Sequence, residues 1–193
     1  EIKKGRQAYI VYPLIEESSK LDYENLMKGF EEVKSFFPEP KYWISMVHGK
    51  QTAAQKETNM QRFVKADTQI MVSTTVIEVG VNVPNASVMV IESAEKFGLS
   101  QLHQLRGRVG RGSEKSFCIL LTGPKISNDA RERLKIMTAT NDGFKIAEKD
   151  LEIRGPGDIG GTRQSGLLNF KLANIVHDKV MLEAARGAAE AIL

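Results

Sequence analysis

The chain has 193 residues, a formal net charge of +3 and 41% hydrophobic residues, a composition typical of a folded cytoplasmic protein rather than of a disordered tail. Its one cysteine, Cys118, excludes a disulfide framework and a multi-cysteine zinc site, and we predict no metal site built by the chain alone. No apolar run approaches the ~18 residues of a membrane span, so we expect no membrane partner.

Short apolar runs and amphipathic stretches alternate in the first part of the chain. Leu26, Phe30 and Val33 recur at helical spacing, and Thr52 with Gln55 forms a capping-box pattern at the start of a second helix. Strands that are apolar throughout and separated by amphipathic helices are typical of a parallel sheet with helices on both faces. We therefore predict an open α/β domain over residues 1–123, with strands at 8–15, 42–47, 69–73, 87–91 and 117–121.

Helical patterns replace the apolar runs over residues 124–193. Two helices are predicted at 129–138 and 143–153, a glycine-dense loop at 155–166 and a last helix at 172–191. This part of the chain is expected to form a small helical hairpin, a loop and a C-terminal helix outside the sheet domain.

The excess positive charge lies in one window, residues 96–115, which carries five basic residues and one acidic residue. If residues 101–111 form a helix at ~100° per residue, Gln104, Arg108 and Arg111 project from one side, opposite an apolar stripe. Guanidinium forks stabilise charge on a transferring phosphoryl group, and neighbouring glycines allow it to approach closely. A solvated surface face is the alternative, but such a helix would not need three glycines.

Two threonines, Thr74 and Thr75, follow the third predicted strand. Ligands of open α/β sheets bind beyond the carboxyl ends of the strands, and hydroxyls beside free amide groups suit a phosphate oxygen. The alternative is that the threonines only cap a helix.

The chain carries no phosphate-binding Gly-x-x-x-x-Gly-Lys-Ser/Thr loop, and no predicted strand ends in an acidic pair suited to magnesium. Paired arginines without a phosphate loop predict half of a nucleotide site, whose other half must come from another domain. Because the sequence begins at Glu1 rather than methionine, we expect it to be a piece of a longer protein.

Two segments of the sequence resemble motifs of a known family. The pattern Gln-x-x-Gly-Arg-x-Gly-Arg over 104–111 is similar to motif VI of superfamily 2 helicases, and residues 74–84 are similar to motif V. Together they imply the second RecA-like domain of a two-lobed motor. The segments at 97–111, 141–144, 150–157 and 161–166 resemble those of the RecG family in particular. In that family the later segments belong to a coupling element called the TRG motif.

The resemblance implies an ATP-dependent helicase that remodels branched or forked DNA in recombination and repair. Arg108 and Arg111 would act on ATP and Mg²⁺ bound mainly by a first RecA-like lobe, and Gln104 would be a polar group linked to that site. Gly80 and Asn82 would lie near the nucleotide. The family usually has aspartate at the position of Asn82.

The resemblance also implies residues for DNA and for coupling. His48, Gly49, Thr74 and Thr75 would lie along the DNA backbone. The TRG element, which would couple hydrolysis to translocation, would include Arg154, Arg163 and Gln164. The first lobe and a wedge domain of the same full-length chain would be the partners. A lobe of a transcription-repair coupling factor and a binding module without hydrolysis are the alternatives.

Overall fold

The computed structural model describes residues 1–14, 19–74, 83–112, 115–154 and 179–192. Within it the chain forms two compact units, residues 1–135 and residues 136–193. The sequence-based boundary at residue 123 precedes this division, which falls inside a helix.

The first unit contains a five-stranded sheet in the order β2-β3-β1-β4-β5. All four of its described pairings are parallel, which confirms the predicted α/β class. The strands are β1 (Gln7–Tyr12), β2 (Ile44–Val47), β3 (Ile70–Thr74), β4 (Ala86–Ile91) and β5 (Phe117–Leu120).

Six α-helices are described. The capping box is confirmed at the second of them, where the Thr52 hydroxyl accepts from the Gln55 backbone N–H and the Gln55 side chain accepts from the Thr52 N–H. None of the described helices is both long and apolar enough to cross a bilayer. The helices are α1 (Ser19–Phe36), α2 (Ala53–Val64), α3 (Leu99–Arg106), α4 (Asn128–Ala139), α5 (Gly143–Arg154) and α6 (Lys179–Ile192).

The sheet is apolar on both faces because helices cover both. Ile10 of β1 packs in a cluster with Leu26 and Phe30 of α1. The preceding residue, Tyr9, points to the opposite face, where its ring centroid lies 4.8 Å from that of Phe63 in α2. A strand that is buried in both directions is mostly apolar, which explains the near-continuous apolar runs in the sequence, although a few polar residues such as Ser73 and Ser87 are buried among them.

Candidate nucleotide and DNA site

The helix that precedes the two arginines is shorter than predicted. Leu99, Leu102 and Leu105 are 0%, 0% and 7% exposed, so one side of α3 is buried as the apolar stripe indicated. The prediction of a helix over 101–111 was nevertheless wrong, since α3 ends at Arg106. Neither Arg108 nor Arg111 lies on a helix.

Residues 107–112, called the arginine turn below, leave the helix through a tightened bend. The backbone N–H groups of Arg108 and Val109 donate to carbonyls only three residues back, at 3.0 and 3.3 Å. Gly110 then adopts φ +78°, a left-handed conformation that favours glycine. A Cβ at Gly112 would lie 3.0 Å from the carbonyl oxygen of Pro84. The glycines therefore end the helix and bring the turn against its neighbours.

The arginine turn exposes charge while its backbone is held. Val109 is buried between the half-buried Arg108 and the exposed Arg111. The Nε of Arg111 donates to the carbonyl oxygen of Gly107 at 2.9 Å, which anchors the side chain through the nitrogen nearest the stem. No hydrogen bond or ion pair within the described residues engages the terminal nitrogens of Arg108 or Arg111. Both guanidinium groups are therefore available to bind an anion.

The charges of both arginines act on the pKa of one buried phenol. Burial raises the pKa of Tyr9 to about 12, and the positive charges of Arg108 and Arg111 act against this rise. Both guanidiniums therefore lie within electrostatic range of one side chain in β1. Arg108 and Arg111 belong to the arginine turn and not to one face of a helix. Gln104 remains on α3, with an exposed side chain.

The turn that contains His48 and Gly49 follows β2. His48 is 8% exposed. Its backbone N–H donates to the Gln51 side chain at 3.1 Å, and its Nδ1 accepts from the backbone N–H of Lys50 at 3.3 Å. The Gln51 amide also donates to the carbonyl oxygen of Met46 at 3.1 Å. These bonds fix the turn, and Gly49 and Lys50 are its exposed members.

Burial, and then the charges of Lys50 and Lys56, lower the pKa of His48 below its usual 6.5. As the pH decreases, His48 therefore takes up a proton at a higher pH in the unfolded chain than in the folded chain. We expect the free energy of unfolding to be unaffected by His48 above pH 6.5 and to fall as the pH decreases from there through the folded-state pKa. Urea unfolding of the chain and of His48→Gln across pH 5–8 tests this. Parallel stability curves for the two proteins would contradict it.

Thr74 lies beside the His48 turn but is enclosed. Val47 pairs with Ser73, so the next residues, His48 and Thr74, lie at the same end of neighbouring strands. Thr74 is 3% exposed, and its hydroxyl is buried without a hydrogen-bond partner in the described part of the chain. The structure therefore shows the hydroxyl enclosed, and its contact with a phosphate stays a prediction.

Five of the candidate residues lie outside the described residues, namely Thr75, Gly80, Asn82, Arg163 and Gln164. Arg154 is the last residue of α5. The described residues contain no group of three or more His, Cys, Asp or Glu side chains that could hold a metal ion.

A contact that the motifs did not indicate joins α4 to the segment before α3. The Nη2 of Arg133 donates to the carbonyl oxygen of Glu95 at 3.0 Å. The Glu95 carboxylate accepts from the backbone N–H of Gly123 at 3.4 Å. No local pattern marks Arg133, because its partners are distant in the sequence.

Comparisons with known proteins agree with this geometry. Residues 1–113 match the model of the helicase conserved C-terminal domain, and residues 140–193 match ATP-dependent DNA helicase RecG, domain 3, C-terminal. The protein called ATP-dependent DNA helicase RecG in Bacillus subtilis (strain 168) is 55% identical over 189 residues, which are 98% of this chain and 27% of the relative. The RecG of Synechocystis sp. is 55% identical over 196 residues, covering 100% of this chain and 23% of the relative.

A solved structure of RecG bound to a three-way DNA junction aligns with a TM-score of 0.70 and 43% identity, over 94% of this chain and 23% of that one. Residues 1–113, which include four strands of the parallel sheet, thus form the conserved C-terminal domain of a helicase. The chain belongs to the RecG family of ATP-dependent DNA helicases. It spans about a quarter of the length of these relatives.

Proposed function

We propose that this chain is the second motor lobe of a longer ATP-dependent DNA helicase that remodels branched DNA such as stalled forks and Holliday junctions. The observation that carries the proposal is the arginine turn, with two unengaged guanidinium forks held by a fixed backbone on a RecA-like sheet. The relatives named ATP-dependent DNA helicase RecG, and the RecG structure with a three-way junction, support the choice of substrate. The composition supports a cytoplasmic location.

In this proposal Arg108 and Arg111 complete a nucleotide site between two lobes. Guanidinium forks fit the oxygens of a phosphoryl group, whereas the described residues offer no carboxylate cluster for Mg²⁺. The first lobe would therefore hold ATP and its Mg²⁺, and the arginines would meet the charge that develops on the transferred phosphoryl group. Gln104, Gly80 and Asn82 would border the same nucleotide.

The DNA strand would pass the carboxyl ends of β2 and β3. His48 and Gly49 form a fixed, partly exposed turn there. The backbone N–H groups of His48 and Lys50 already donate within the turn, so the exposed Gly49 is the member whose backbone N–H would donate to a phosphate oxygen. Because the Thr74 hydroxyl is enclosed, we assign Thr74 to positioning Thr75 and the residues after it rather than to direct contact. The TRG residues Arg154, Arg163 and Gln164 would transmit movement between the nucleotide and the DNA.

The experiment compares the longer, two-lobed protein with the isolated chain on a forked DNA substrate. The two-lobed protein is expected to unwind the fork with ATP, whereas the chain alone hydrolyses no ATP and unwinds nothing, since arginines without a phosphate loop cannot align water, Mg²⁺ and the γ-phosphate. Phosphate release and strand separation are measured on the same preparations. Sustained hydrolysis by the isolated chain would contradict the half-site, and a two-lobed protein that binds forks without hydrolysis would indicate a binding module.

A further inference from the structure

Tyr23 and Lys50, which no motif singles out, lie against the His48 turn. The ring of Tyr23, in α1, meets the His48 imidazole edge to face, with the centroids 5.2 Å apart and the planes at 64°. The Lys50 ammonium lies 4.4 Å from the centroid of the same tyrosine ring. One aromatic side chain thus contacts both the buried member and a charged member of the turn.

This arrangement restricts the side chain of Lys50, whose immobilisation carries an entropic cost. A lysine loses roughly 1.5–2 kcal/mol of rotamer entropy when it is immobilised. The backbone of Lys50 is already fixed by its N–H bond to Nδ1 of His48. The ring of Tyr23 then supplies an attractive face for the ammonium, whose remaining N–H groups can still donate to another partner.

The charge held in this way is not neutralised. Among the described residues Lys50 takes part in no ion pair, and its side chain is exposed. Lys50 and Lys56 both act on the His48 imidazole, so the turn lies in a positive field. The N-terminus of α2 begins two residues beyond the turn and adds partial positive charge. An anion is the expected neighbour of this surface.

We propose that Tyr23 is a positioning residue that holds the Lys50 ammonium toward a phosphate of the DNA strand. The inference rests on the proposed function, because it needs DNA to pass the His48 turn. Tyr23 acts through Lys50, so it contributes to affinity and not to sequence preference. An aromatic ring at this position is therefore required, whereas its hydroxyl is not.

The test measures binding of a forked DNA by the two-lobed protein without nucleotide, from 50 to 200 mM salt. Lys50→Gln is expected to make the slope of log affinity against log salt shallower by about 0.7–0.9, the value for one lost phosphate contact. Tyr23→Leu is expected to weaken binding about 2–5-fold at low salt, as for a lost cation–π contact. Tyr23→Phe, the matched control, keeps the ring and binds as the parental protein does.

The double variant separates positioning from a structural role. If Tyr23 acts through Lys50, Tyr23→Leu has no further effect in the Lys50→Gln background. An equal loss in both backgrounds, unchanged binding by Tyr23→Leu, or equal losses for Tyr23→Phe and Tyr23→Leu would each overturn the proposal. If the parental protein unwinds forks while one of these results is found, only this inference fails. If the parental protein does not bind forked DNA, the proposed function fails with it.

Discussion

Replacing Arg108 or Arg111 by alanine in the two-lobed protein is expected to lower the rate of ATP hydrolysis by about 10³-fold or more, the loss typical of a removed arginine finger. The loss should be large because the two guanidinium groups stabilise charge that develops on the transferred phosphoryl group in a site shielded from water. Steady-state phosphate release with saturating forked DNA measures it.

Binding of ATP should weaken much less than turnover. The ground state carries less of the charge that the arginines meet, so their contribution appears mainly in the transition state. Nucleotide affinity, measured by titration with a fluorescent analogue, therefore separates the finger role from simple attraction of an anion. Arg108→Lys should restore little activity, because an ammonium cannot reproduce the planar fork.

Arg106→Ala is the matched control. Arg106 is the last residue of α3, adjacent to the arginine turn, but its guanidinium contacts Nδ1 of His103 at 3.2 Å. Its removal should leave the rate of hydrolysis within a few-fold of the parental value. Near-parental rates for both Arg108→Ala and Arg111→Ala, or an equally large loss for Arg106→Ala, would contradict the assignment.

The sequence pattern predicted that Arg108 and Arg111 project from one side of a helix, whereas the structure places both residues in a bend beyond the end of α3. A helical projection of residues 101–111 assumes that every residue in the segment continues the helix equally well. The glycines at 107, 110 and 112 weaken that assumption, and the backbone leaves the helix at Arg106. In the bend that follows, the charges of both arginines still act on the pKa of Tyr9 in β1. The close neighbours of this bend, Ser116 beside Gly110 and Pro84 beside Gly112, are not revealed by any local pattern.

The sheet domain was the most predictable part, because strands that are covered on both faces carry near-continuous apolar runs. Strand order was not predicted, since the pairing of β1 with both β3 and β4 joins distant segments. The same limit applies to the DNA side of the site. Thr74 fits a phosphate-binding pattern locally, but in the folded chain it is only 3% exposed and its hydroxyl is buried. The contact between Tyr23 and Lys50 is likewise formed only by the folded chain.

A second large effect is expected at Gly110, whose backbone sets the direction of the arginine turn. Gly110→Ala places a Cβ at φ +78°, where an L-residue is strained, and 2.5 Å from the Ser116 hydroxyl. Rotation of Ser116 can move its hydroxyl, but the Ser116 Cβ at 3.3 Å and the left-handed backbone remain, so we expect residue 110 to shift and its neighbours Arg108 and Arg111 to shift with it. Displacements of about 1 Å can cost roughly 10²-fold in rate, so ATP hydrolysis by the two-lobed protein should fall by about that factor.

Gly5→Ala separates displacement from general backbone strain. Gly5 has φ +80°, almost the same conformation, but a Cβ there meets nothing within 4 Å and it lies before β1, outside the nucleotide site. Both variants should lose about 1–2 kcal/mol of folding stability from the left-handed backbone. Only Gly110→Ala should also lose hydrolysis under conditions where both proteins remain folded. Equal activities of the two folded variants would show that the arginines tolerate movement of the turn, which is incompatible with an aligned finger pair.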